Sequence, residues 1–73
     1  MPSTRSVSEI LANNIRTART QAGLSQEKLA EKANLSRNYI GNVERAEYKI
    51  TVEALARVAK ALKLTIHDLM RGI

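Results

Sequence analysis

The sequence predicts a single all-α domain, and three observations lead to that prediction. Its 73 residues are enough for one domain. The chain contains no Phe, no Trp and only two Tyr, so it is poor in residues that favour strands. Apolar residues recur at helical spacing in five successive segments rich in Ala, Leu, Lys, Arg and Glu. We expect residues 1–5 to be a flexible N-terminal arm and residues 6–73 to form the domain.

Composition also excludes several classes of function. The chain has no cysteine, so it has no disulfide, no thiolate metal site and no cysteine nucleophile. Its single histidine, His67, cannot form a zinc site alone. A Gly-rich phosphate loop is also lacking. We therefore expect a protein that is not an enzyme and that uses no metal, cofactor or small-molecule ligand.

Charge is a weak guide to the partner, whereas hydropathy indicates the compartment. A net charge of +5 favours binding to a polyanion. The charges of segment 23–48 cancel, however, so the prediction of nucleic-acid binding depends on which helix face carries each charge. The apolar stretches are far shorter than the ~20 residues of a membrane span. Residues 1–7 lack the apolar core of a signal peptide. These features predict a soluble, cytoplasmic protein without membrane contact.

The first helix is predicted from residue 6 to residue 22. Ser6 and Glu9 stand in capping-box register at its start, and Gly23 follows its end. Its apolar stripe consists of Val7, Ile10, Leu11, Ile15, Ala18 and Ala22.

The second and third helices are short and lie close together in the sequence. Ser25 caps a helix over 26–33, and Ser36 caps a helix from residue 37 to about residue 45. Asn34 lies where the chain must turn sharply, and Asn tolerates the left-handed conformation that such a turn needs. The third helix turns its apolar residues inward and leaves a polar outer face of Arg37, Asn38, Gly41, Asn42 and Arg45.

The fourth and fifth helices begin at threonines. Thr51 starts the fourth, and Thr65 with Asp68 forms a second capping-box pair at the start of the fifth. The fourth helix has a stripe of Val52, Leu55, Val58, Ala59 and Leu62. Segment 65–73 is too short to cover all its apolar side chains against a small core, so we predict a dimerisation helix shared with a second subunit. The predicted dimer interface is Ile66, Leu69, Met70 and Ile73.

Residues 25–45 have the plan of a helix-turn-helix. A three-residue turn joins the two helices, and Ala30 provides a small residue where they cross. Such a unit lays its second helix in the major groove of DNA. The bare pattern also fits a helical hairpin without a DNA role, so it leaves both interpretations open.

The residues that fill this plan carry a more specific signal. Four runs carry it: GLSQEKLAEKANLSR at 23–37, YI at 39–40, VER at 43–45 and LKLTIHDL at 62–69. Together they resemble the lambda-repressor-like (Cro/CI, XRE) family over about residues 10–70. The resemblance implies a compact five-helix domain that binds a palindromic operator as a homodimer and regulates transcription in a bacterial, plasmid or phage setting. It also implies a structural ion pair between Arg19 and Glu44.

Within that family the sequence is similar to the controller proteins of restriction–modification systems. Tyr39-Ile40-Gly41 and the small stand-alone domain carry this narrower resemblance, although many phage and plasmid repressors differ from it only slightly. Two residues depart from the family pattern, because Asn34 and Ala46 stand where Gly is usual. The loop at 48–50 reads Tyr-Lys-Ile where many relatives read Arg-Asn-Pro, which leaves its phosphate-contacting residue open.

The resemblance assigns roles to the exposed polar residues. Arg37 is expected to read guanine and Asn38 adenine, because these side chains pair bidentately with those base edges. Gln26 and Tyr39 are expected to hold phosphates. The full predicted DNA-binding set is Ser25, Gln26, Ser36, Arg37, Asn38, Tyr39, Asn42, Arg45 and Lys49.

The rival interpretation is an antitoxin-like or co-regulator module of the same fold that binds a protein. Protein hot spots are dominated by large anchors in desolvated pockets. The outer face of the third helix instead carries hydrophilic donors, which suit base edges. The sequence therefore favours double-stranded DNA as the partner.

Overall fold

The computed structural model describes residues 6–73, which form five α-helices and contain no strand. This architecture confirms the predicted all-α, five-helix fold. The predicted flexible arm, residues 1–5, lies outside the described residues. In the part of the chain that the structure describes, no helix has the length and hydropathy to cross a membrane. The helices are α1 (Val7–Gln21), α2 (Gln26–Ala33), α3 (Arg37–Glu44), α4 (Val52–Ala61) and α5 (Ile66–Leu69).

Each helix begins after a Ser or Thr whose side-chain oxygen accepts a backbone N–H of the first turn, which is why the predicted starts agree with the structure. In α5 the capping box is complete, and the Thr65 N–H donates to the Asp68 carboxylate at 2.9 Å. This hydrogen bond lowers the pKa of Asp68 below its ordinary value of 3.8. The charged carboxylate therefore stabilises the cap at neutral pH, and that contribution is lost as the pH falls through the lowered pKa.

Within residues 6–73, three residues other than glycine adopt positive φ, and each lies where a helix ends. Asn34 has φ of 57°, Ala46 of 60° and Lys63 of 59°. Asn34 gives the turn between α2 and α3 its predicted left-handed conformation, and the Leu35 N–H then donates to the Ala30 carbonyl at 2.8 Å. Ala46 follows the same backbone path that a glycine would take, although its Cβ makes that conformation unfavourable.

The core receives one fully buried side chain from each helix. Helices α2 and α3 pack on each other, while α1 also contacts α3 and α4 also contacts α2. This packing covers the inner face of α3 and leaves its polar face outside. The five side chains are Ile15, Leu29, Ile40, Val58 and Leu69.

The position of Leu69 corrects the predicted dimer interface. Its side chain is 1% exposed and belongs to the core of its own domain, so it is not available to a second subunit. Helix α5 is also a single turn, shorter than the predicted segment 65–73. Of the other predicted interface residues, Ile66 packs partly on the core, whereas Met70 is 39% and Ile73 53% exposed.

The end of the chain is tied to α1 by a residue that sequence reasoning did not single out. The Asn14 side-chain amide donates to the Leu69 carbonyl at 2.8 Å and to the Arg71 carbonyl at 2.9 Å. These carbonyls lie at the end of a one-turn helix and just beyond it, where they have no partner within the helix, so Asn14 satisfies groups that would otherwise need water. The surface around Met70 and Ile73 is thereby fixed relative to α1.

A buried ion pair joins α1 to the end of α3. Arg19 Nε lies 2.6 Å from Glu44 Oε2, and Arg19 Nη2 lies 3.0 Å from Glu44 Oε1. The Glu44 side chain is 2% exposed and that of Arg19 is 13% exposed. Arg19 Nη1 also donates to the Leu24 carbonyl at 2.9 Å, and Gln26 Nε2 donates to Glu44 Oε1 at 3.0 Å. The network of Arg19, Glu44 and Gln26 thus connects α1, α2 and α3.

We expect Glu44→Ala to destabilise the domain severely. The substitution leaves the Arg19 guanidinium largely buried and unpaired, which typically costs ~3–5 kcal/mol, or a fall in Tm of more than about 10 °C for a domain of this size. Glu31→Ala is the control, because it removes an exposed pair with Lys28 and is expected to change stability by less than about 1 kcal/mol. Thermal unfolding followed by circular dichroism measures both. A Tm for Glu44→Ala within a degree or two of the parent would contradict the structural role.

We expect Ala46→Gly to stabilise the domain. A left-handed residue with a Cβ costs ~1–2 kcal/mol of stability. Glycine has greater freedom in the unfolded chain, which offsets part of the gain, so we expect the free energy of unfolding to rise by about 0.5–1 kcal/mol. Ala56→Gly, at an exposed position inside α4, is the matched control and is expected to lose about 1 kcal/mol. Urea unfolding of both variants gives the comparison. A loss of stability in Ala46→Gly would show that the left-handed conformation is not strained.

Candidate nucleic-acid interface

Helix α3 has one face fixed in the core and one face outside it. Ile40 and Val43 are buried, whereas Arg37 and Asn38 in its first turn are exposed. Within residues 6–73, neither exposed side chain has a hydrogen-bonding or ionic partner. Both are therefore free to bond to an external molecule with their full donor capacity.

Two serines of the predicted site have a structural function that the sequence indicated. Ser25 accepts the Lys28 N–H at 3.0 Å, and Ser36 accepts the Tyr39 N–H at 3.0 Å. Both serines are exposed, and each hydroxyl keeps its own hydrogen for donation outward.

Gln26 is placed between the buried network and the outer face of α3. One amide hydrogen is engaged with Glu44, as described above. The amide oxygen lies 3.8 Å from where a Cβ on Gly41 would stand, and the second amide hydrogen remains for an external acceptor. Sequence reasoning assigned Gln26 to a phosphate and did not foresee its contact with Glu44. The side chain is half-buried and held in place before any ligand arrives.

The end of α3 carries a second cluster, formed by Gly41, Asn42, Arg45 and Glu47. Arg45 Nη2 donates to Asn42 Oδ1 at 2.5 Å, and Arg45 Nε donates to Glu47 Oε1 at 3.2 Å. A Cβ on Gly41 would lie 3.2 Å from Arg45 Nη1, so the guanidinium folds back along α3 over the glycine. Gly41 is therefore covered rather than exposed, which differs from its predicted place on the outer face.

Glu47 is a residue that sequence reasoning missed at this surface. It follows Arg45 by two residues, across the end of a helix, where spacing rules for side chains on one helix do not apply. The available signal was an acidic residue immediately beyond a helix with an exposed basic face.

Tyr39 and the loop after α3 form the other edge of the site. The Tyr39 ring packs partly on the core, and its centroid lies 6.1 Å from that of Tyr48. Its hydroxyl oxygen accepts the Thr51 N–H at 3.2 Å, which anchors the start of α4. The hydroxyl hydrogen remains for an acceptor such as a phosphate. Lys49 is exposed in the same loop, and it has no ionic partner within the described residues.

The chain is similar to known helix-turn-helix proteins over most of its length. A helix-turn-helix family profile, HTH_3, matches residues 15–69. Control protein C.SmaI of Serratia marcescens is 47% identical over 64 residues, which cover 88% of this chain and 76% of that protein.

Solved structures give the same result. The restriction-modification controller protein C.AhdI from Aeromonas hydrophila matches with a TM-score of 0.83 and 34% identity, covering 85% of this chain and 94% of that one. The hypothetical transcription factor NHTF from Neisseria matches with a TM-score of 0.87 and 33% identity, covering 96% and 80%. These matches confirm the predicted lambda-repressor-like resemblance, and the chain belongs to the HTH_3 family of helix-turn-helix transcription regulators.

Proposed function

We propose that the protein regulates transcription by binding a palindromic operator as a homodimer, with α3 in the major groove. The observation that carries this proposal is the outer face of α3, where Arg37 and Asn38 are exposed and unpartnered within residues 6–73 while the opposite face is held in the core. Similarity to C.SmaI and C.AhdI supports a role in controlling a restriction–modification operon in a bacterial or plasmid setting.

The proposed contacts follow from the chemistry of each side chain. Arg37 reads guanine through O6 and N7, and Asn38 reads adenine. Asn42, further along α3, and Arg45, just after its end, read base edges or the adjoining backbone. Phosphates are held by the hydroxyl hydrogens of Ser25, Ser36 and Tyr39, by the Gln26 amide at the N-terminus of α2, and by Lys49.

The proposed dimer uses the surface left exposed after α5. Met70 and Ile73 supply its apolar side chains, with Ile66 at its edge and Leu69 in the core beneath. Apolar side chains exposed together at the end of a small domain favour an isologous interface. In such a dimer the two recognition helices lie about 34 Å apart, one turn of DNA.

The polar face of α3 also bears on the protein-binding alternative. Its exposed side chains are a guanidinium and an amide, both without partners in residues 6–73, and such groups are costly to desolvate at a protein interface unless each finds a partner there. The DNA proposal fails if selection from random duplexes with the purified protein yields no preferred sequence.

We expect Arg37→Ala to weaken operator binding far more than binding to a scrambled duplex. Loss of a bidentate base contact costs ~1–3 kcal/mol, or about 5- to 150-fold, on the preferred sequence and relaxes preference at one position. Lys60→Ala, which removes an exposed charge from α4, is the control. Fluorescence anisotropy on both duplexes at one fixed salt concentration gives the affinities of the parent and the two variants. An equal loss on operator and scrambled DNA would make Arg37 a backbone contact only.

We expect Met70→Asp to dissociate the dimer. A carboxylate placed in an apolar interface must be desolvated without a partner, which disfavours association. Val52→Asp introduces the same charge at an exposed apolar residue at the start of α4 and is expected to leave association unchanged. Sedimentation equilibrium measures both. A parent protein that is monomeric at tens of micromolar, free and with DNA, would refute the dimer.

A further inference from the structure

Arg45 differs from the other cations of the proposed interface. Arg37 and Lys49 have no ionic partner within residues 6–73, whereas the Arg45 guanidinium is paired with the Glu47 carboxylate at 3.2 Å. Both side chains of this pair are more than half exposed, so the pair contributes little to folding. Its position beside α3 therefore calls for a functional rather than a structural explanation.

Two hydrogen bonds and the space above Gly41 set the orientation of the Arg45 guanidinium. Glu47 accepts from Nε, and Asn42 accepts from Nη2. The missing Cβ of Gly41 leaves the space in which Nη1 lies. The guanidinium thus lies along α3 with more than half of the side chain exposed, and the hydrogens of Nη1 with the second hydrogen of Nη2 remain unused.

Glu47 also changes the electrostatics of this part of the surface. A carboxylate near DNA repels phosphates, and paired with Arg45 it cancels the charge that would otherwise attract any DNA backbone. An acidic residue at this place therefore lowers affinity for DNA in general. It raises specificity if it lowers affinity for wrong sequences more than for the right one.

We infer that Glu47 is a specificity-determining residue that holds Arg45 in the orientation for a base contact and prevents it from binding phosphates indiscriminately. This inference rests on the proposed DNA-binding function. On the operator, Arg45 bonds to a base edge through the hydrogens that the cluster leaves free, and it does so without first being ordered. On other sequences those hydrogens meet no matching acceptor, and the neutralised charge gains little from the backbone.

The test is Glu47→Gln, which keeps the shape of the side chain and one acceptor oxygen but removes its charge. The protein is titrated by anisotropy with the duplex obtained by selection and with a scrambled duplex, between 50 and 200 mM salt, roughly the range in which phosphate contacts are most visible. We expect scrambled-duplex affinity to rise about three- to tenfold near 100 mM salt, with a salt slope steeper by about one. We expect operator affinity to change by less than about twofold, so the specificity ratio falls.

Glu31→Gln is the matched control, because it also removes one carboxylate that is exposed and paired, here with Lys28. Its effect on the two duplexes is expected to be equal. In an Arg45→Ala background, Glu47→Gln is expected to have no differential effect, because the residue that it orients is gone.

Two results would overturn the inference while leaving the proposed function in place. Glu47→Gln acting equally on operator and scrambled DNA would reduce its role to net charge. A differential effect that persists without Arg45 would show that Glu47 acts on something else. A wild-type protein with no preferred duplex would instead overturn the proposed function itself. As a control for folding, the melting temperature of each variant is compared with that of the parent.

Discussion

The orientation of the recognition helix depends on the hydrogen bonds that the Glu44 carboxylate accepts. Glu44 is the last residue of α3, and it accepts hydrogen bonds from Arg19 on α1 and Gln26 on α2. Apolar contacts hold α3 against the core, but they are not directional. The charged hydrogen bonds are directional, so rotation of α3 about its axis would break them in an environment where a lone charge is very unfavourable. The outer face of α3 consequently stays outside.

Gln26 extends this constraint from the interior to the surface. Its amide nitrogen donates one hydrogen to Glu44 in the buried network and keeps the second for an external acceptor, while its oxygen lies near the covered Gly41. A side chain already held by one hydrogen bond loses less entropy when it binds a ligand. The folding of the domain and the organisation of its candidate DNA surface are therefore served by the same residues.

The helices were predictable from sequence because their starts are local. A Ser or Thr followed by an apolar stripe at helical spacing marks each of them, and Asn34 marks the turn without reference to the rest of the chain. The burial of Leu69 was not predictable in this way, because spacing shows that a residue is apolar but not whether its own domain or a second copy covers it. The Asn14 contacts join residues 55 and 57 positions apart in sequence, and no local pattern indicates them. Likewise the pairing of Arg45 with Glu47 depends on how the chain leaves α3.

Gly41 has a consequence for how such a regulator acquires a new operator. Any larger residue at this position would place a Cβ 3.2 Å from Arg45 Nη1, so the guanidinium would have to shift by a few tenths of an ångström. The side chains at positions 41, 42, 45 and 47 are thus mutually dependent, and a substitution at one of them alters the setting of the others. A change of operator, by evolution or by engineering, then requires these four positions to change as a unit. Arg37 and Asn38 have no such contacts within residues 6–73 and can be exchanged one at a time.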